Sequence, residues 1–234
     1  MNDTAVILFT KIPIPGKTKT RLQPLLSADE CCLLQSAFIR DVYRALQQTQ
    51  TCCDVVVYHT IEGVLEDLQA LIPEASAFFP QQGQDLGEKM HNAICHTLNA
   101  GYSRCVLIGS DLPLLRADAI DEALRLLQNH DMVLCPTEDG GYYLIGMNEP
   151  CEGVFRLKYS VSTVFEGTLS LAEQYGKTCA VGQTTMDIDE PSDLFRLIER
   201  LNQEDQDQCP ATRALLESLE AINREYRPNA DHKI

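Results

Sequence analysis

Four of the chain's nineteen basic residues fall within one short run, Lys11-Ile12-Pro13-Ile14-Pro15-Gly16-Lys17-Thr18-Lys19-Thr20-Arg21, and no acid interrupts it. Proline at 13 and 15 stiffens the run, and Gly16 lets backbone amides approach a ligand closely. Lys17, Lys19 and Arg21 alternate with Thr18 and Thr20. That alternation offers point charges, hydroxyl donors and one guanidinium fork, which is the chemistry that holds phosphate oxygens. Gly16-Lys17-Thr18 also echoes a P-loop. The P-loop pattern needs a glycine five positions before Gly16, where this chain has Lys11.

Three further segments supply carboxylates. Gly109-Ser110-Asp111-Leu112-Pro113 places one aspartate after an apolar run. A carboxylate so placed suits a hard cation such as Mg²⁺, which is held by one or two carboxylates plus phosphate oxygens. The segment Pro136-Thr137-Glu138-Asp139-Gly140-Gly141-Tyr142-Tyr143 pairs two glycines for a tight turn with tyrosines that can stack on or bond to a substrate. In Asp187-Ile188-Asp189-Glu190-Pro191 the two aspartates lie two apart, so in extended chain they share a face and form a second acidic wall. Of the two, Asp187 is the expected metal contact; the same stretch also caps a helix opened by Pro191.

Elements that position these segments follow from periodicity. Residues 5–9, 54–58, 77–79, 105–108, 132–135, 141–147 and 178–181 read as strands. Residues 86–98, 117–128, 162–175, 191–201 and 210–225 read as helices, and Ser27-Ala28-Asp29-Glu30 is a capping box opening another. Short apolar runs alternating with amphipathic stretches predict an α/β fold with a mostly parallel sheet. Each of the four segments follows a predicted strand, and ligands of open α/β sheets bind at the carboxyl ends of strands. One domain over residues 1–226 and a disordered tail at 227–234 are expected.

Composition narrows the partners. A net charge of −15 argues against nucleic acid and anionic membrane. No apolar run reaches the roughly 20 residues of a membrane span, and the N-terminus lacks a signal peptide's basic lead-in. The ten cysteines stand singly or as Cys31-Cys32 and Cys52-Cys53, without zinc-like spacing. They read as reduced, structural thiols of a cytoplasmic protein.

Together with Asp85-Leu86-Gly87-Glu88-Lys89-Met90, these motifs resemble, in order from about residue 6 to 197, the bacterial DUF2064 family. It is also called the radical-SAM/selenodomain-associated transferase 1 or arsenosugar-biosynthesis-type glycosyltransferase family. More distantly, the chain is similar to phospholactate and molybdenum-cofactor guanylyltransferases. The resemblance implies a Rossmann-related GT-A fold of the nucleotide-diphospho-sugar transferases. It further implies nucleotide phosphates on Lys11, Lys17, Lys19 and Arg21, Mg²⁺ or Mn²⁺ on Asp111, and Asp85, Gly87 and Glu88 beside the base or sugar. Where the family has a Trp-Ser-Thr-like segment this chain has Tyr159-Ser160-Val161, and Glu190 replaces a frequent threonine.

The expected catalytic residues are thus Lys19, Arg21 and Asp111, with Pro15, Gly16 and Thr18 completing the nucleotide loop. Asp139, Gly140, Gly141, Tyr142, Tyr159 and Ser160 are expected to face the acceptor, a small molecule. A metal-dependent transferase using an NTP or nucleotide sugar is implied. Glycosyl transfer is the first reading. The alternative is guanylyl or cytidylyl transfer to a phosphorylated small molecule, and a second alternative is a non-catalytic nucleotide-binding module.

Overall fold

The computed structural model describes residues 2–203 and 207–219. The expected tail, residues 227–234, lies outside them. Seven strands form one sheet: β1 (Thr4–Thr10), β2 (Asp54–His59), β3 (Ala77–Pro80), β4 (Arg104–Gly109), β5 (Met132–Pro136), β6 (Tyr142–Met147) and β7 (Cys179–Val181), in the order β3-β2-β1-β4-β6-β5-β7. All neighbours are parallel except β6, which runs antiparallel between β4 and β5. β1 reads as an unbroken apolar run because both its faces are covered, as parallel strands require.

Helices α1 (Ala28–Gln47), α2 (Leu65–Leu71), α3 (Leu86–Asn99), α4 (Ala117–Leu126), α5 (Val164–Gln174), α6 (Pro191–Leu201) and α7 (Pro210–Ser218) surround the sheet. The capping box forms as expected: Ser27 accepts from the Glu30 amide, and Glu30 accepts from the Ser27 amide. α7 runs from Pro210 to Ser218, and Leu219 is extended and buried; residues 220–225 of the expected 210–225 helix lie outside the described residues. α2 has no counterpart in the sequence reading. Nothing caps it, and Leu68 is its one buried residue. Among the described residues no helix is long and apolar enough to cross a membrane.

Two apolar layers cover the sheet's faces. One joins α1, α2 and α4 to Val6, Leu8, Val57, Val106 and Val133; the other joins α3 and α5 to Ala5, Ile7, Leu107, Leu134 and Ile145. A third cluster, Leu22, Leu26, Leu34, Phe38, Met186, Ile188 and Leu194, lies where the loop after β1 meets the segment before α6. That cluster places the candidate site. Cys105 and Cys135 are buried in strands, and burial raises the Cys135 thiol to about 12.

Candidate active site

At the carboxyl ends of β1 and β4 two hydroxyls knit the sheet edge together. Thr10 Oγ1 donates to Ser110 Oγ at 2.8 Å, and Gln35 of α1 donates to the same oxygen at 2.9 Å. Asp111 follows, and its carbonyl accepts from the Ile188 amide at 3.0 Å. This bond lays residues 186–189 alongside the end of β4. Met186 and Ile188 point into the third cluster. Alternation along extended chain therefore turns Asp187 and Asp189 the other way, onto one face.

The loop after β1 folds on itself before it reaches these acids. The Lys17 and Thr18 amides both donate to Ile14 O at 3.0 Å, and Thr18 Oγ1 accepts from the Ile14 amide at 2.7 Å. Gly16 sits at φ +77 with open space where a Cβ would be. Lys19 adopts a left-handed conformation, φ 46 and ψ 42, uncommon for a residue with a Cβ. Its ammonium lies 2.9 Å from Asp111 Oδ2 and 2.9 Å from Asp189 Oδ1, and donates to Ile188 O at 2.5 Å. It also lies 5.8 Å from the centre of the Phe38 ring. Burial opposes its charge, but Asp111 and Asp189 outweigh burial and hold its pKa above the ordinary lysine value.

The loop and the acids thus converge, with a division of labour the sequence did not reveal. Lys19 was expected to hold a phosphate; its side chain is 4% exposed and its three donors have protein partners. Thr18 is buried and its hydroxyl holds the loop's shape. Lys11, Lys17 and Arg21 are the exposed cations. Lys17 meets Glu62 at 2.8 Å and Arg21 lies 3.8 Å from Glu190, both pairs open to solvent, where such pairs bind weakly.

Asp187 is half-buried. Burial first, then the neighbouring Asp139 and Asp189, raise its carboxyl from 3.8 to about 6. Its charged form therefore costs the ligand-free fold stability: nothing below about pH 4, where folded and unfolded forms are both protonated, and the full amount above about pH 6. Asp187→Asn is expected to stabilise the protein in EDTA at pH 8 by about 1–2 kcal/mol after solvent screening. The gain should vanish near pH 4. Urea unfolding at the two pH values checks this; a loss of stability at pH 8 contradicts it.

Asp139 shapes its own turn, accepting from Thr137 Oγ1 and from the Gly141 amide at 3.0 Å. Gly140, at φ +90, passes so close to Ser162 that a Cβ would lie 2.0 Å from the Ser162 carbonyl oxygen. Glu138 ties the turn to α6 through Arg196 and Arg200. Tyr142, expected to face substrate, instead packs into the layer under α5, with its hydroxyl buried beside Tyr159 and Thr168. Tyr143 lies on the other, equally covered face. At the start of α3, Asp85 caps the Glu88 amide at 2.9 Å and Glu88 accepts from Gln84 at 2.8 Å. Gly87 is buried against the Phe155 carbonyl and the Tyr159 ring. Ser160 is exposed, at φ 63.

Whether these residues fit a divalent cation is testable from one atom. The ammonium of Lys19 draws the carboxylates of Asp111 and Asp189 together, and these two side chains, still 40% and 44% exposed, present hard oxygens toward solvent. Among the described residues no three His, Cys, Asp or Glu side chains form a self-sufficient metal site. Two carboxylates are the number that typically hold Mg²⁺ together with phosphate oxygens, so the pair fits such a cation. Asp189, more than Asp187, shares the Asp111 point.

Residues 42–163 match a family described as uncharacterized proteins conserved in bacteria, DUF2064. A 2-phospho-L-lactate guanylyltransferase of Methanothrix thermoacetophila is 30% identical over 203 residues, 85% of this chain and 83% of that protein. The crystal structure of a protein assigned as a nucleotide-diphospho-sugar transferase, from Desulfovibrio desulfuricans G20, superposes with a TM-score of 0.87 at 30% identity, covering 97% of this chain and 99% of that one. A cytidylyltransferase of Leptospira borgpetersenii shares the fold at a TM-score of 0.58 and 12% identity, over 95% and 97% of the two chains. The matched residues include Asp111 after β4, the Asp-Gly-Gly turn and the start of α3, and on this ground the chain belongs to the DUF2064 family, as a transferase of the nucleotide-diphospho-sugar transferase fold.

Proposed function

We propose that the protein transfers a nucleoside monophosphate, guanylyl or cytidylyl, from an NTP to a phosphorylated small molecule. The observation that carries this is the convergence of the cationic loop with Asp111 and Asp189 at one sheet edge. The guanylyltransferase relative, alike over most of both chains, favours nucleotidyl over glycosyl transfer.

The chemistry needs little from the protein beyond position and charge. An oxygen of the acceptor's phosphate, anionic at neutral pH, attacks the α-phosphorus. The bond to the β-phosphate's bridging oxygen breaks, and pyrophosphate leaves. No general base is required, because the attacking oxygen carries no proton to remove. Lys11, Lys17 and Arg21 are exposed, and the solvent-open pairs of Lys17 with Glu62 and Arg21 with Glu190 yield readily to the β- and γ-phosphates, whose charge they would offset. Asp111, with Asp189 and Asp187 beside it, would hold a divalent cation, which supplies charge neutralisation for the triphosphate and the departing pyrophosphate. Because the relative is a 2-phospho-L-lactate guanylyltransferase, the acceptor class proposed is a small phosphorylated hydroxy acid.

Thermal unfolding with GTP, CTP and nucleotide sugars, each with Mg²⁺, tests the donor. At 100 times Kd a donor adds about 2.7 kcal/mol of stability. Stabilisation by GTP or CTP, followed by pyrophosphate release when 2-phospholactate is added, is expected. Stabilisation by nucleotide sugars alone returns the site to glycosyl transfer; pyrophosphate release that no phosphorylated acceptor accelerates rules the proposal out.

A further inference from the structure

Lys19 poses a problem that the proposed reaction does not solve. A residue expected to grip phosphate has all three donors committed to protein oxygens, and its side chain is 4% exposed. The two carboxylates it bridges are open by comparison, at 40% and 44%. A ligand can therefore reach the outer faces of Asp111 and Asp189 while the ammonium stays beneath them.

The backbone around Lys19 is built to keep it there. Leu22 donates its amide to Lys19 O at 2.9 Å, and the Cys31 thiol points to the same oxygen at 3.5 Å. The left-handed conformation at Lys19 is unfavourable for a residue with a Cβ and persists only where surroundings over-determine it. Here they do: buried Thr18 on one side and buried Leu22 on the other hold the turn, and the side chain runs inward over Phe38.

The consequence is electrostatic. Asp111 and Asp189 together carry two negative charges, and Lys19 cancels one of them at contact distance. A bare divalent cation approaching the pair meets a site already half neutralised, with a positive charge 2.9 Å behind both carboxylates. The ammonium repels the incoming cation, to an extent that solvent at the half-open carboxylates limits. A cation that arrives with a nucleotide's phosphates brings its own anions, and the same ammonium then attracts the complex.

We propose that Lys19 is a built-in counter-cation that keeps the Asp111–Asp189 pair from binding free metal and makes metal binding depend on nucleotide. This rests on the nucleotidyl-transfer reading and adds to it a positioning residue that couples two ligands. It places Lys19 under the carboxylates and not on the triphosphate.

Mn²⁺ titration followed by electron paramagnetic resonance, on the full chain without and with a GTP analogue whose α,β-bridge cannot be cleaved, measures the coupling directly. In the natural protein Mn²⁺ alone should bind weakly, and the analogue should tighten it strongly. In Lys19→Met, Mn²⁺ alone should bind at least about tenfold tighter and should raise the unfolding midpoint, which it does not do in the natural protein. Lys19→Gln, which keeps a donor and removes the charge, should behave the same way and serves if Lys19→Met does not fold. Lys19→Arg should resemble the natural protein. If the analogue tightens Mn²⁺ in the natural protein, yet neither neutral variant binds free Mn²⁺ more tightly, Lys19 is a structural strut, and the counter-cation proposal fails while nucleotidyl transfer stands. If no variant and not the natural protein binds Mn²⁺ or the analogue, both readings fail.

Discussion

Replacing Asp111 with asparagine lowers kcat/KM for nucleotidyl transfer by roughly 100- to 1,000-fold while the protein stays folded. The size follows from what the change removes. Asparagine matches aspartate in shape and keeps an oxygen that accepts from Lys19, so the 2.9 Å contact persists as a hydrogen bond. What is lost is one full negative charge at the point where a divalent cation meets the triphosphate, about 3–4 kcal/mol of charge stabilisation. The Ile188 amide bonds the backbone of Asp111, which the substitution leaves in place. Steady-state kinetics with GTP and 2-phospholactate measure the loss. Asp131→Ala is the internal control. Asp131, just before β5 at the amino ends of the strands, accepts from the Thr178 amide and hydroxyl, and losing these bonds costs about 1 kcal/mol of stability without touching the Asp111–Asp189 point. Kinetics within threefold of the natural enzyme for Asp111→Asn would remove this aspartate from the chemistry.

The same contrast shows what a sequence discloses. Strand ends, the Ser27 capping box and the Pro191 start of α6 are local signals, and the structure carries each of them. That Asp187 and Asp189 share a face is also local, because it follows from two-residue alternation between the apolar Met186 and Ile188. Which of the two meets Asp111 is not local. It depends on a lysine whose acceptors lie 169 and 170 positions downstream, and no periodicity encodes that meeting. Tyr142 and Tyr143 illustrate the same limit. Alternation sends them to opposite faces of β6, but only the fold shows that α5 covers one face and α4 the other. β6 lies within a sheet that helices cover on both faces, so both rings turn to the interior. Helix α2 was missed for a simpler reason: it has no side-chain cap, and its stripe of Leu65, Leu68 and Leu71 spans about two turns, too short for a periodicity to stand out.

Gly140→Ala should destabilise the protein by on the order of 3 kcal/mol or more, the largest stability effect expected of a single methyl group here. Two costs add. At φ +90 a side chain is strained whatever space surrounds it, and the new Cβ would lie 2.0 Å from the Ser162 carbonyl oxygen and 2.7 Å from its carbon. Those neighbours are backbone, so they cannot rotate away as a side chain would. They are held by the start of α5, where the Phe165 amide donates back to Gly140 O at 3.0 Å. Gly176→Ala separates the two costs, because Gly176 has φ +67 and open space around a Cβ; it should lose about 1 kcal/mol. Urea unfolding of the two variants reads the difference, and equal losses would show that the Ser162 contact is relieved without cost. The effect should also reach the site. The Gly140 amide closes the turn on Thr137 O, and Asp139 accepts from Thr137 and Gly141 within that turn. Forcing Gly140 away from Ser162 therefore moves Asp139, whose charge helps hold the Asp187 carboxyl up to about 6. A variant that still folds at low temperature should accordingly show a lower Asp187 pKa and impaired transfer together, because one turn sets both.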